Sequence, residues 1–316
     1  MENFLTVARQ VAVLFVLMGF GAAMRWAKFF EGRAIEGMVN VLILAVTPCL
    51  IVDVFQRPFE PSMLKGLGVA FAISALGHLA VIALAYLFVR HRDEDVRRPL
   101  LLAAVFSNAG FMGIPLEHAL LGDAGVFFGV VYIVVFNLFM WSWGVGIMRR
   151  IPVAGVGAVA RISRLKMCVN PGTVGLGIGL PLFFLSVKLP TVIGEPIHQM
   201  ANLNTPLAMI IIGYCLGGAR IGRVVRLPGV YVATFLRLIA YPLLMIAAMY
   251  PFRHQLDRNM MLAMVIAAAA PVAAMVSMFA TKFNRDVDVA VAVVSGTTLL
   301  GIVTMPVVVA LAMSVL

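Results

Sequence analysis

The chain has 316 residues, of which 62% are hydrophobic and only 12% charged, with a mean hydropathy of +1.03. Too few polar side chains remain to cover a globular surface, which excludes a water-soluble protein. The 24 Lys+Arg against 14 Asp+Glu leave +10, a balance that would suggest nucleic acid in a soluble protein; here the positions of the charges decide.

Apolar runs long enough to cross a bilayer, about 20 residues each, recur along the whole chain. Breaking it at charged and Gly/Pro-rich connections predicts an all-α integral membrane protein of ten spans, over 5–25, 35–56, 66–89, 99–121, 123–148, 171–189, 196–217, 228–250, 258–281 and 287–314. Arg9 precedes the apolar stretch Val11–Met24 as in a signal peptide, but no small-residue cleavage site follows and nine further spans make the first ordinary. The cysteines, Cys49, Cys168 and Cys215, are odd in number and far apart, and form neither a disulfide framework nor a metal site. No metal or other cofactor is expected.

Basic residues divide unevenly between the two sides. The connections after spans one, three, five, seven and nine hold seventeen: Arg25, Lys28 and Arg33; Arg90, Arg92, Arg97 and Arg98; Arg149, Arg150, Arg161, Arg164 and Lys166; Arg220, Arg223 and Arg226; Lys282 and Arg285. The opposite side holds five, Arg57, Lys65, Lys188, Arg253 and Arg258, with Arg9 and Arg237 inside spans. The positive-inside rule puts the seventeen in the cytoplasm and both termini outside, and the inner membrane of a bacterial-type cell is the expected location. This accounts for the +10 without nucleic acid. The connection 149–170 also suits an anionic lipid surface, though topology explains its charge.

Ten spans divide into two five-span halves, 1–156 and 157–316, the second inverted. Thr47-Pro48 recurs as Thr205-Pro206 at an offset of 158, His78 matches Arg237 at 159, and Asp123 matches Asp286 at 163. Near-constant offsets point to an inverted repeat, a transporter signature. Span four carries Ser107-Asn108-Ala109-Gly110-Phe111-Met112-Gly113-Ile114-Pro115 and span nine carries Pro271 after Ala267–Ala270. Proline removes a backbone donor and clashes with the preceding turn. A kinked helix is the alternative, but both lesions fall at mid-depth in corresponding spans, so true breaks are expected, with unpaired backbone either buried in protein or lining a cavity. The segments after the prolines would point helix N-termini at one midplane point and favour an anion there.

The segment from Asn108 to Leu116 resembles the auxin efflux carrier family of plants and bacteria, whose bacterial members include proteins described as malonate permeases. So do Pro271 followed by Phe279-Ala280-Thr281-Lys282-Phe283-Asn284, Ser295-Gly296-Thr297-Thr298 and Met305-Pro306. The resemblance implies a ten-span inverted repeat in which spans four and nine cross at their prolines. It also implies a scaffold and homodimer surface from residues 5–56 and 171–217, and a mobile transport unit from 66–148 and 228–314. The short connection 149–170 places the chain with the compact, bacterial-type branch.

Candidate substrate-binding residues follow, each with a structural alternative. The Asn108 amide suits a carboxylate or a helix cap. Ser107 is a weaker candidate that could bond back to its own helix. Gly110, Gly113, Pro115 and Pro271 shape the site through the backbone. Arg237, an ionisable group deep in span eight, could attract a carboxylate, pair with an acid or with carbonyls, or snorkel to the cytoplasmic face. For coupling, His78 could carry a proton or serve as a hydrogen-bonded structural histidine. Asp53, Glu117 and His118 are proton sites or groups hydrated at the outer mouth. Asn137 and Thr297-Thr298 suit interhelical hydrogen bonds, and Gly172, Gly175, Gly177 and Gly179 suit close helix packing.

The expected function is secondary transport of a small organic anion, a mono- or dicarboxylate of the malonate or auxin-like kind, by an elevator-like alternating-access shift. A cation/proton antiporter of similar architecture is the nearest rival and would place acids in the crossing or adjacent helices; with Glu117 placed toward the outer end of span four, the interiors of spans four, five and nine hold no Asp or Glu, so sodium-independence is expected. Nothing resembles a GxxxxGK[ST] phosphate loop, and no enzyme-like constellation is present. A ligand-sensing receptor is the alternative from another class.

Overall fold

The structure is a computed structural model that describes residues 2–29, 32–56, 58–59, 61–149, 171–218 and 227–316. The expected boundary at residue 156, Cys168, and the basic residues Arg57, Arg150, Arg161, Arg164, Lys166, Arg220, Arg223 and Arg226 lie outside the described residues.

The first part of the chain forms α1 (Glu2–Trp26), α2 (Gly32–Val41), α3 (Thr47–Val54), α4 (Pro61–Phe88), α5 (Glu94–Val105), α6 (Ile114–Phe139) and α7 (Val145–Met148). The second forms α8 (Pro171–Phe184), α9 (Thr191–Asn202), α10 (Asn204–Leu216), α11 (Pro228–Phe235), α12 (Tyr241–Met249), α13 (Arg258–Ala269), α14 (Met275–Lys282) and α15 (Val287–Val315). Wider π-helical turns join α2 to α3, α6 to α7 and α11 to α12, and another, Ala109–Gly113, leads into α6.

Among the described residues, five helical stretches are long and apolar enough to cross a membrane: Ala34–Val54, Lys65–Phe88, Ala109–Met148, Pro228–Phe252 and Val287–Val315. The third has 40 residues, about 60 Å if straight and twice a hydrocarbon core. It is folded in two. Gly122 adopts φ 63° and ψ −155°, which glycine reaches without the penalty of a Cβ. Beyond it the chain doubles back, so that the Glu117 carboxyl lies against Gly129; in a straight helix these positions would be about 18 Å apart.

Two short helices occupy the centre. Both α5 and α13 have 12 residues, each is N-capped by an aspartate, Asp93 bonding Asp95 N and Asp257 bonding Met260 N, and α13 is buried from Met260 to Ala269. At about 18 Å each reaches little more than halfway through a bilayer core. Pro271 ends α13 by pushing Ala270 into an extended conformation, φ −60° and ψ 145°. In the first half the break lies at Phe106 (φ −99°, ψ 114°), ahead of the expected Pro115. That proline instead lies at the start of α6, directly after the wider Ala109–Gly113 turn that runs into it.

The two interrupted backbones satisfy one another. Ser107 and Val272 form an antiparallel bridge, Asn108 N donates to the Pro271 carbonyl at 2.6 Å, and Ala273 N donates to the Phe106 carbonyl at 2.9 Å. Buried peptide groups freed from their helices are thereby paired.

Around this centre, α1 lies along α10 and α3 lies along α8 and α9. Gly175 lets α8 approach Pro48, where a Cβ would come within 2.9 Å of its Cα, the close approach that small residues permit between membrane helices. At the end where α5 and α15 begin, Arg285 bonds Asp95 and the carbonyls of Met148 and Arg149, and Arg98 bonds those of Ile147 and Arg149. These arginines take up the carbonyls left open at the C-terminus of α7. Glu94, outside the apolar spans, accepts from Arg98 and Arg97 at 2.9 Å each, and Arg98 first, then Arg97, hold its carboxyl below the ordinary carboxylate range.

Candidate functional site

The paired breaks bring Ser107, Asn108 and Pro271 together. Asn108 stands at the start of the Ala109–Gly113 turn, and its carbonyl accepts from Met112 N and Gly113 N at 2.9 and 3.3 Å. Its side chain makes no capping hydrogen bond. Gly110 and Phe111 on one segment and Ala274 and Met275 on the other are only half-buried. The first N–H groups of both segments have no carbonyl ahead of them within their own helix. Val272 N donates to Thr297 Oγ1 at 3.2 Å, and that hydroxyl bonds back to Val293 at 2.7 Å, so α15 supports the second break.

Behind the breaks lies a buried polar cluster built on Arg237. This residue is fully buried; Nη1 donates to the Val105 carbonyl at 2.7 Å and Nη2 to the Ala268 carbonyl. One guanidinium thus binds the C-terminal ends of both α5 and α13. Its Cζ lies 4.7 Å from the Tyr241 ring centroid, a cation–π contact in a desolvated site. Of the roles open to Arg237 from its depth alone, carbonyl pairing is the one its two terminal nitrogens adopt.

A hydroxyl chain links this cluster to the break. Ser107 Oγ is 3.3 Å from Tyr132 Oη, which donates to Tyr241 Oη at 3.4 Å. His78 packs nearly parallel to Phe139, centroids 5.3 Å apart, and 5.1 Å from Tyr132. Its Nδ1 is 2.8 Å from the Ser74 carbonyl, so the proton sits on Nδ1. Its Nε2 has no partner among the described residues.

The other candidates are dispersed. Asp53 binds His198 at 2.9 Å, and His118 lies exposed 3.6 Å from Asp123. Asn137 and Thr298 bond carbonyls one turn back in their own helices. Glu117 corrects the expectation of a group hydrated at an outer mouth: it is fully buried, because the second arm of α6 folds over it at Gly122, and neither carboxyl oxygen has a partner among the described residues.

Tyr132 and Tyr241 escaped the sequence reading, although a tyrosine in mid-span needs a partner for its hydroxyl and is itself a signal. No curated protein matches the chain. The family model described as "Membrane transport protein" matches residues 6–309, nearly all of it, and the chain belongs to the auxin efflux carrier-type membrane transport family.

Proposed function

We propose that this transporter moves a small organic anion, a mono- or dicarboxylate of the malonate or auxin-like kind, by an elevator-like alternating-access mechanism that needs no sodium. The observation that carries this reading is the charge balance at the paired breaks. Two helix C-termini converge there, each equivalent to about −0.5 charge, and the Arg237 guanidinium offsets both. The two N-termini that follow contribute about +0.5 each. Glu117, the acid nearest to them in α6, is turned toward Gly129 instead. The sum, about +1, suits one carboxylate, with the uncapped Asn108 amide as a specific donor.

The ten-pass inverted repeat is part of the same proposal. Its support is the pair of equal, Asp-capped half-helices that end at a shared antiparallel bridge. In the elevator reading, α1–α3 and α8–α10 form the scaffold and homodimer surface, and the break-bearing helices move against them. Packing of α1 on α10 and of α3 on α8 and α9 supports that division.

A thermal-shift screen of purified protein against carboxylates, including malonate and indole acids, tests the substrate class. A ligand at 100 times its dissociation constant adds about 2.7 kcal/mol of apparent stability. Hits are then assayed for flux in liposomes with sodium replaced by potassium or choline. No stabilising carboxylate would reject the anion reading, an absolute sodium requirement would reject sodium independence, and binding without flux would favour a ligand-sensing receptor.

A further inference from the structure

We propose that Glu117 is a proton-binding site of the transport cycle, carried through the apolar interior as the neutral acid together with the anion. The inference rests on the transport reading above and adds the coupling ion to it.

The carboxyl occupies a niche shaped for it. On the second arm of α6, Gly129 leaves the space that Glu117 fills, and a Cβ there would overlap Oε2. On the first arm, one turn before Glu117, the Cβ that Gly113 lacks would lie 3.8 Å from Oε1 and 3.5 Å from Ala267 Cα on α13. Those Gly113 distances are ordinary contacts, so it is Gly129, on the opposite arm of the hairpin, that makes room for the acid beside a broken helix. Glu117 is fully buried and neither oxygen has a hydrogen-bond partner among the described residues. An ionised carboxylate here would lose its hydration with no donor in return, so the niche suits the neutral acid. A hard metal cation takes several oxygen ligands, whereas among the described residues no group of three or more metal-ligating side chains includes this carboxyl.

Among the described residues, the charged and histidine side chains on the elements packed against α6 are engaged or exposed elsewhere, and Cys49 on α3 and Cys215 on α10 are free thiols. His78 on α4 bonds Ser74 and Lys65 is exposed. Asp53 on α3 binds His198, Arg258 on α13 donates to Met313, and Arg25 on α1 lies over Tyr214 of α10. Arg9 on α1 is exposed. On α6 itself His118 and Asp123 are exposed, and Tyr132 bonds Tyr241.

Glu117 lies on the same continuous segment as Asn108, so an ionised carboxylate would disfavour an anion at the break by like-charge repulsion. Proton and anion therefore travel in the same direction. At the releasing face the Glu117 O–H bond breaks and the proton passes to water; at the loading face the carboxylate takes a proton from water before the anion is enclosed.

Two measurements on purified, membrane-reconstituted protein test this. Infrared spectroscopy at neutral pH should show a neutral-acid carbonyl band that disappears in Glu117→Gln and shifts in Glu117→Asp, the latter serving if the Gln variant does not fold. In liposomes with the membrane potential clamped at zero, one pH unit sustains about a tenfold accumulation at one proton per solute. Wild type should accumulate malonate, the probe, down such a gradient, and Glu117→Gln should lose the accumulation while keeping downhill exchange. Gradient-driven accumulation retained in Glu117→Gln overturns the proposal. If wild type carries no malonate, the malonate reading fails by itself and the infrared measurement still judges Glu117: absence of the neutral-acid band overturns the proton site.

Discussion

Replacing Arg237 with Met tests whether one guanidinium holds both broken helices in place. The substitution removes the bonds to the Val105 and Ala268 carbonyls and keeps a long apolar stem. A hydrogen bond from a charged donor contributes about 1.5–3 kcal/mol, so two give about 3–6 kcal/mol. Relief from burying the guanidinium offsets part of that loss, and a net destabilisation of about 3 kcal/mol is expected. At about 2–4 °C per kcal/mol for a large domain, the melting temperature should fall by about 6–12 °C. Arg237→Lys keeps the charge without the planar fork and should fall between wild type and Arg237→Met. Thermal melts followed by circular dichroism in detergent, on material that elutes as a single species, provide the assay. A melting temperature for Arg237→Met within about 2 °C of wild type, less than 1 kcal/mol on the same scale, would refute the bridging role.

Three further outcomes are expected. Asn108→Ala should melt like wild type, because the side chain makes no cap, yet bind a carboxylate hit about tenfold to a hundredfold more weakly, as loss of a bond to a charged group implies; unchanged affinity would remove Asn108 from the substrate site. Glu94, its carboxyl held low by Arg98 and Arg97, stabilises the fold above its ordinary pKa and loses that contribution as pH falls through its lowered one. Because Glu94 is half-exposed, Glu94→Gln should cost only about 0.2–1 kcal/mol at pH 7, with the difference from wild type vanishing in strong acid; a persistent difference there would contradict the ion-pair origin. Single cysteines placed at residues 90–98 should label only from the cytoplasm and one at Leu316 only from outside, and a cytoplasmic C-terminus would sink the ten-pass inverted arrangement.

Apolar runs and the positions of proline made the helical membrane class and the two break regions legible in the sequence, because both depend on short-range constraints. The location of the first break did not follow from Pro115. Phe106 and Ser107 become extended through pairing with Val272 and Ala273, a contact between segments more than 160 residues apart. Arg237 was visible as costly, but depth along one helix does not tell a snorkelling side chain from one bound to carbonyls on two others. Glu117 was misjudged for a related reason. Counting outward from Pro115 puts it near an aqueous mouth, whereas the reversal at Gly122 lays Gly129 over it.

On the proposed reading, a single position can decide which sign of solute such a framework accepts. Two helix C-termini and two N-termini meeting at the breaks cancel, at about half a charge each. A neutral residue in place of Arg237 would leave the meeting point without net charge, and an acid would make it about −1 and suit a cation. With the buried guanidinium it is about +1, so a bound monocarboxylate leaves the enclosed site balanced. On the proposed reading, a dicarboxylate brings one further negative charge, and a neutral Glu117 keeps the acid from adding another. In the proposed elevator, charge neutrality would lower the cost of moving the loaded unit past lipid, and it would link three features that sequence periodicity alone did not connect: Arg237 behind the break, Asn108 at its edge and Glu117 against Gly129.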